Sequence, residues 1–140
     1  GVEPIRQSSA SPSQRQVVET VLLVEDESSI LSMAILMLEK FGYSVLAFSS
    51  PSQAIAAAEA HRGGIHLLVT DVVMPEMNGP LLAEKIRSFH PEIKILFMSG
   101  YTENVIAHHG VLDEGVNFIQ KPFSMDALAE KVRAVLDGAT

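Results

Sequence analysis

Short apolar runs alternate with stretches of helical period along most of this chain, and that alternation constrains its fold more than any other feature. The runs are Val21–Val24, Ser44–Phe48, Leu67–Thr70, Lys94–Met98 and Asn117–Gln120. Each is strand length, and the apolar ones are almost uninterrupted, as expected for strands buried on both faces. After the first run, Ile30, Met33, Ala34, Met37, Leu38 and Phe41 recur at helical spacing, with Ser28 or Ser29 as the expected N-cap and Gly42 as the stop. Ser50-Pro51-Ser52-Gln53 supplies an N-cap, a first-turn proline and a capping-box glutamine for an Ala-rich helix reaching about His61. Leu82, Ile86 and Phe89 mark the inner face of a third helix, and a short, weakly patterned one is expected near Thr102–His109. Ser124 caps the last, which turns Leu128, Val132, Val135 and Leu136 inward. Five strand–helix units with right-handed crossovers make an α/β, doubly wound three-layer sandwich around a parallel sheet.

Such a sheet binds ligands beyond the carboxyl ends of its strands, where the strand order reverses. The chemistry-bearing residues fall at those ends. Asp71 follows Leu67–Thr70 and opens the Pro/Gly-containing loop Val72–Gly79. Glu25 and Asp26 end the first run, Ser99 follows the fourth and Lys121 the fifth. Taken singly, the acids read as helix caps or turn residues and the lysine as a solvated side chain. Together, acids and a lysine gathered at strand ends imply a divalent cation and a phosphoryl group. His108-His109 does not make a metal site, because adjacent helical residues diverge and nothing completes the set. His61, His66 and His90 read as edge or loop residues.

Composition narrows the class. With 140 residues, 47% of them hydrophobic, the chain suffices for one domain with a substantial core. A net charge of −7 disfavours direct nucleic-acid binding, which needs a basic face. No apolar run approaches the roughly 18 residues that span a bilayer, and no signal-peptide layout opens the chain. The absence of cysteine excludes disulfide and thiol chemistry and fits a reducing compartment, so a cytoplasmic location is expected. Residues 1–18 are polar, Ser/Pro-rich and without period, and read as a disordered linker or tail before a domain at 19–138.

In order, Val24-Glu25-Asp26-Glu27, Thr70-Asp71 with Met74-Pro75 and Asn78-Gly79, Ser99-Gly100, and Lys121-Pro122-Phe123 resemble the motifs of response regulator receiver domains. The resemblance covers about residues 20–137 and implies a flavodoxin-like sheet of order 2-1-3-4-5. It implies that Asp71 is the phosphoacceptor, with Lys121 as the fixed positive charge and Ser99 as the switch hydroxyl. The implied cofactor is Mg²⁺, which prefers oxygen ligands: Asp26, Asp71 and the Val73 backbone carbonyl directly, and Glu25 through water. Phe118 falls at the family's aromatic switch position, where tyrosine is commoner, so an output needing that hydroxyl does not carry over. Val73 and Tyr101 fall where the family tunes attack by water. Gly110 and Gly115 bracket Val111–Glu114 in a less regular fourth helix, which weakens the carry-over of the family's dimer face. The Lys121–Pro122 bond is expected to be cis, as in family members.

The expected function is a phosphoacceptor receiver that takes a phosphoryl group from phosphohistidine, switches conformation and loses the group by hydrolysis. It would phosphorylate and dephosphorylate itself without being an enzyme in the usual sense. Its partners would be a histidine kinase dimerisation domain or a histidine phosphotransfer protein. The opening Gly1, the Ser/Pro/Gln stretch and the end at Thr140 suggest the receiver of a hybrid sensor histidine kinase whose remainder can be membrane-anchored. The runner-up is a stand-alone regulator or one cut from a downstream effector. Two rivals differ in class. An aspartyl-nucleophile phosphatase of the haloacid-dehalogenase kind usually carries Asp-x-Asp after its first strand, where this chain has Glu25-Asp26-Glu27. A pseudo-receiver acting only as a binding module would not need the intact Asp/Asp/Ser/Lys set.

Overall fold

The computed structural model describes residues 18–100 and 116–138. The strands are β1 (Thr20–Val24), β2 (Ser44–Phe48), β3 (Leu67–Asp71), β4 (Lys94–Ser99) and β5 (Phe118–Gln120). The helices are α1 (Ser28–Lys40), α2 (Pro51–Ala60), α3 (Gly79–Phe89) and α4 (Met125–Leu136). All strand pairs are parallel, in the order β2-β1-β3-β4-β5. This is the doubly wound, flavodoxin-like sandwich expected. The helix expected near Thr102–His109 lies outside the described residues.

Alternation along the strands splits the core in two. Val21 and Leu23 of β1 join Leu67, Val69, Leu96 and Met98 beneath α1 and α4, which contribute Met37, Leu38, Leu128 and Val132. Leu22 and Val24 face the other way, onto Ala54, Ala58, Leu82 and Ile86 of α2 and α3. This sidedness follows from crossover handedness. The chain passes from β1 outward to β2, then back across β1 to β3, so right-handed connections place α1 and α2 on opposite faces. β1 pairs with both β2 and β3, which makes the β1/β3 boundary the point of reversal.

Helix ends mostly obey their sequence signals. Ser50, Asn78 and Ser124 each accept a hydrogen bond from the backbone N–H three residues on, and Gly42 takes φ 93° just past α1. One cap differs from expectation. Glu27 is the N-cap of α1, without a side-chain bond, and Ser28 and Ser29 already lie within the helix. Two aromatics also depart from their expected inward faces: Phe41 is 52% exposed and Phe89 38%. Both sit at helix ends, where the sheet no longer covers the apolar arc.

Among the described glycines, Gly79, the first residue of α3, has the least room for a side chain. A Cβ there would collide with the carbonyl oxygen of Asp71 and sit 3.2 Å from the Phe97 ring. Because the nearest obstacle is backbone, Gly79→Ala must displace either α3 or the end of β3. We expect a loss of about 1–3 kcal/mol, typical of overpacking, in denaturant unfolding. An unchanged midpoint would mean that α3 moves away freely.

Candidate functional site

Strand register builds the site. Val24 is level with Thr70, Asp71 with Met98, and Ser99 with Gln120. Glu25, Asp71, Ser99 and Lys121 therefore all lie at or one step past the last paired residue of their strands. They line one open cleft with Asp26, Glu27, Val73, Met98 and Gly100.

Backbone contacts fix the two loops that carry reactive groups. Val72 N–H donates to Met98 O at 3.0 Å and Gly79 N–H to Val72 O at 2.7 Å, pinning both ends of the loop after Asp71. Thr70 Oγ1 is buried and donates to the Asp71 carbonyl at 3.1 Å. Lys121 N–H donates to Ser99 O at 2.7 Å, and the Lys121–Pro122 peptide is cis, as expected.

Three charges meet at the centre. Lys121 Nζ lies 2.6 Å from Asp71 Oδ1 and 2.7 Å from Glu25 Oε1. Glu25 is wholly buried and Asp71 only 4% exposed, whereas Asp26 is exposed at the mouth. Glu25 Oε2 accepts the Glu27 N–H at 2.9 Å. Its Oε1 touches the lysine as a charge pair without an aligned hydrogen bond, so a buried oxygen retains unused acceptor capacity. Burial, and then the Glu25 carboxylate beside it, push Asp71 upward against the pull of Lys121. Burial also opposes the Glu25 charge, but the Asp71 carboxyl, Lys121 and the Glu27 amide outweigh it and hold Glu25 below the usual range. The lysine loses some preference for charge by burial and regains more from the two acids, so it stays protonated. The pair is therefore uneven, with Asp71 the weaker acid of the two.

The donor set fits a hard divalent cation. Carboxylate oxygens of Glu25, Asp26 and Asp71 lie within 4.8 Å of one another, and among the described residues no histidine or cysteine joins the group. The remaining sequence-expected positions are distributed as follows. Ser99 is buried at the end of β4, and the Val73 side chain is 62% exposed at the cleft. Phe118 is half-buried against the α2/α3 core, and Tyr101 lies outside the described residues.

Sequence reasoning missed the direct Glu25–Lys121 pair. The unbroken apolar run before Glu25 could have signalled that it is buried. It also missed Glu76, which the structure ties to the start of α2. Two of the histidines have structural partners: His90 Nε2 meets the Ala58 carbonyl at 2.8 Å and His66 Nδ1 accepts the Thr20 N–H at 2.9 Å, while His108 and His109 lie outside the described residues.

A doubly wound sheet with this acid/lysine cleft at its reversal point defines a phosphoryl-transfer receiver class. Residues 21–133 match the response regulator receiver domain family, and the chain belongs to it. It is 41% identical over 118 residues to the sensor kinase CckA of Brucella abortus, covering 84% of this chain and 12% of that protein. It is 30% identical to the C4-dicarboxylate transport transcriptional regulatory protein DctD of Rhizobium meliloti, over 89% of this chain and 25% of that protein. The chain thus spans a quarter or less of each of these relatives. Among solved structures, the receiver domain of the hybrid histidine kinase CckA aligns with a TM-score of 0.71 at 36% identity, covering 84% of this chain and 98% of that one. As a receiver homologous to these proteins, the domain is a phosphoacceptor module of two-component signalling. No described helix is long and apolar enough to cross a membrane.

The charge arrangement has a pH signature. Asp71 is pushed up to about 8, so the metal-free folded state holds a proton that the unfolded chain releases near the ordinary aspartate value. That contribution to stability is present at low pH and is lost as pH rises toward 8. The stability advantage of Asp71→Asn over the wild type should therefore grow between pH 4 and pH 8, by at most about 1.4 kcal/mol per pH unit. Urea unfolding of both proteins in chelator measures it. A difference that is flat or shrinks with pH contradicts the assigned proton.

Proposed function

We propose that Asp71 accepts the phosphoryl group from a phosphohistidine. One carboxylate oxygen forms the new O–P bond as the N–P bond breaks, and the leaving imidazole nitrogen takes up a proton. The observation that carries this reading is the Lys121 ammonium held 2.6 Å from the buried Asp71 at a strand end, with Glu25 as its second partner at 2.7 Å. Lys121 is placed to turn from the carboxylates toward phosphoryl oxygens, and the Ser99 hydroxyl donates to one of them. Asp26, Asp71 and the Val73 carbonyl would hold Mg²⁺ directly, and Glu25 would support it through water while restraining Lys121. When bound, Mg²⁺ neutralises the charge that would keep two anions apart. Phe118 is the aromatic that responds to Ser99, through packing alone, since it has no hydroxyl. Hydrolysis returns Asp71 by attack of water on phosphorus, releasing orthophosphate.

The unit that performs this is residues 19–138, with 1–18 as a tether. The similarity to a sensor kinase over most of this chain favours a parent of the hybrid-kinase type, with a cytoplasmic receiver. Its partners are then the kinase's own dimerisation domain and a histidine phosphotransfer protein, whose docking a tether makes effective at low intrinsic affinity.

Acetyl phosphate with Mg²⁺ should add one phosphoryl group to the wild type by intact mass, and none to Asp71→Asn or to the wild type in chelator. Equal labelling of Asp71→Asn would remove Asp71 from the reaction.

The side chains of Val73 and Tyr101 should exclude water rather than orient it. Val73→Asn places an amide at the exposed mouth and should shorten the half-life of the phosphorylated protein roughly threefold, about 0.7 kcal/mol of barrier. Decay followed by phosphate release tests this, and unchanged decay in both Val73→Asn and Tyr101→Ala would place control of water elsewhere.

A further inference from the structure

Glu76 lies in the loop between β3 and α3, three residues past Val73, and its exposed carboxylate is unusually well held for a surface acid. Its Oε1 accepts the Ser52 N–H at 3.1 Å and the Ser50 hydroxyl at 3.3 Å, and its Oε2 accepts the Ser52 hydroxyl at 3.3 Å. Ser50 is the N-cap of α2 and Ser52 lies in its first turn. An anion there satisfies an unpaired amide and meets the positive end of the helix. α2 follows β2, and β2 pairs along β1, the strand that Glu25 directly follows. Glu25 N–H in turn donates to Phe48 O at the end of β2 at 3.2 Å.

Apart from Glu76, the loop is fixed by its ends and by apolar side chains. Val72 and Gly79 make the end contacts, Asn78 caps α3, and Met74 and Met77 pack into the α2/α3 core. Between Val72 and Asn78, the Glu76 bonds are the polar tie to another strand–helix unit among those of the described residues. The segment they steady carries the Val73 carbonyl.

We propose that Glu76 is a positioning residue for the metal: by capping α2 it fixes the Val73 carbonyl relative to the acids that follow β1. This rests on the Mg²⁺ reading given under the proposed function. Glu76 touches neither the metal nor the phosphoryl group.

Mg²⁺ titration followed by backbone amide NMR, with amide hydrogen exchange in chelator, tests the idea on the whole chain. Glu76→Ala should weaken Mg²⁺ binding about three- to tenfold, at the low end of losses for outer-shell partners. In metal-free protein it should speed exchange at the Ser52 amide and across residues 72–78. Ser52→Ala, which changes no charge, should weaken binding in the same direction by a smaller factor. Glu76→Gln keeps an acceptor oxygen and should recover much of the affinity lost in Glu76→Ala. If Gln behaves like Ala and Ser52→Ala like the wild type, Glu76 acts only through its charge and the positioning role is overturned. A wild type that binds Mg²⁺ while Glu76→Ala binds it equally well overturns this inference alone. A wild type that binds no Mg²⁺ overturns the metal reading with it.

Discussion

The Lys121 ammonium permits two carboxylates to be buried side by side at the end of the sheet. Glu25 is fully enclosed and Asp71 nearly so, and no pair of carboxylates at this separation stays charged in such a place unaided. Lysine within 2.7 Å of both lowers the cost, and the upward push on Asp71 shows that part of it remains. The arrangement is not a device for stability, since buried charge networks contribute little net stabilisation compared with apolar packing. It instead gathers three ionisable groups in one cleft: the Lys121 ammonium, the Asp71 carboxyl and the buried Glu25 carboxylate.

The sheet supplies that geometry through register rather than through any single contact. β1 and β3 are adjacent because the chain reverses its winding between them, and β4 and β5 then extend the row. With Val24 level with Thr70 and Asp71 with Met98, a slip of one residue would exchange core and exposed faces along a whole strand. The apolar alternation that separates Leu22 and Val24 from Val21 and Leu23 therefore also aligns the site. Packing and chemistry are set by the same register. At Gly79 they meet directly, since α3 can start against the carbonyl of Asp71 only without a side chain.

Much of this could be read in advance because it depends on local pattern. Strand runs, the Ser50 and Ser124 caps, the Gly42 stop and the placing of Asp71, Ser99 and Lys121 at strand ends all follow from near neighbours in the chain. What escaped depends on distant partners. Whether Lys121 reaches Glu25 is decided by strand order and side-chain reach, neither of which is written next to either residue. Glu76 looked like one acid in a polar loop, and its partners lie 24 and 26 residues away. The N-cap of α1 falls at Glu27, ahead of both serines, where the Glu27 N–H is held by the buried Glu25 carboxylate. Phe41 and Phe89 have the right period but stand where the helices outrun the sheet.

The central claim is that Asp71, Lys121 and a divalent cation act as one phosphoryl-binding unit. Fluorine NMR of the chain with beryllofluoride, a phosphoryl mimic, observes that unit without relying on turnover. The account predicts a slowly exchanging bound signal in the wild type with Mg²⁺, lost in chelator and lost in Asp71→Asn. A bound signal that persists in Asp71→Asn, or that forms equally well without the metal, contradicts it.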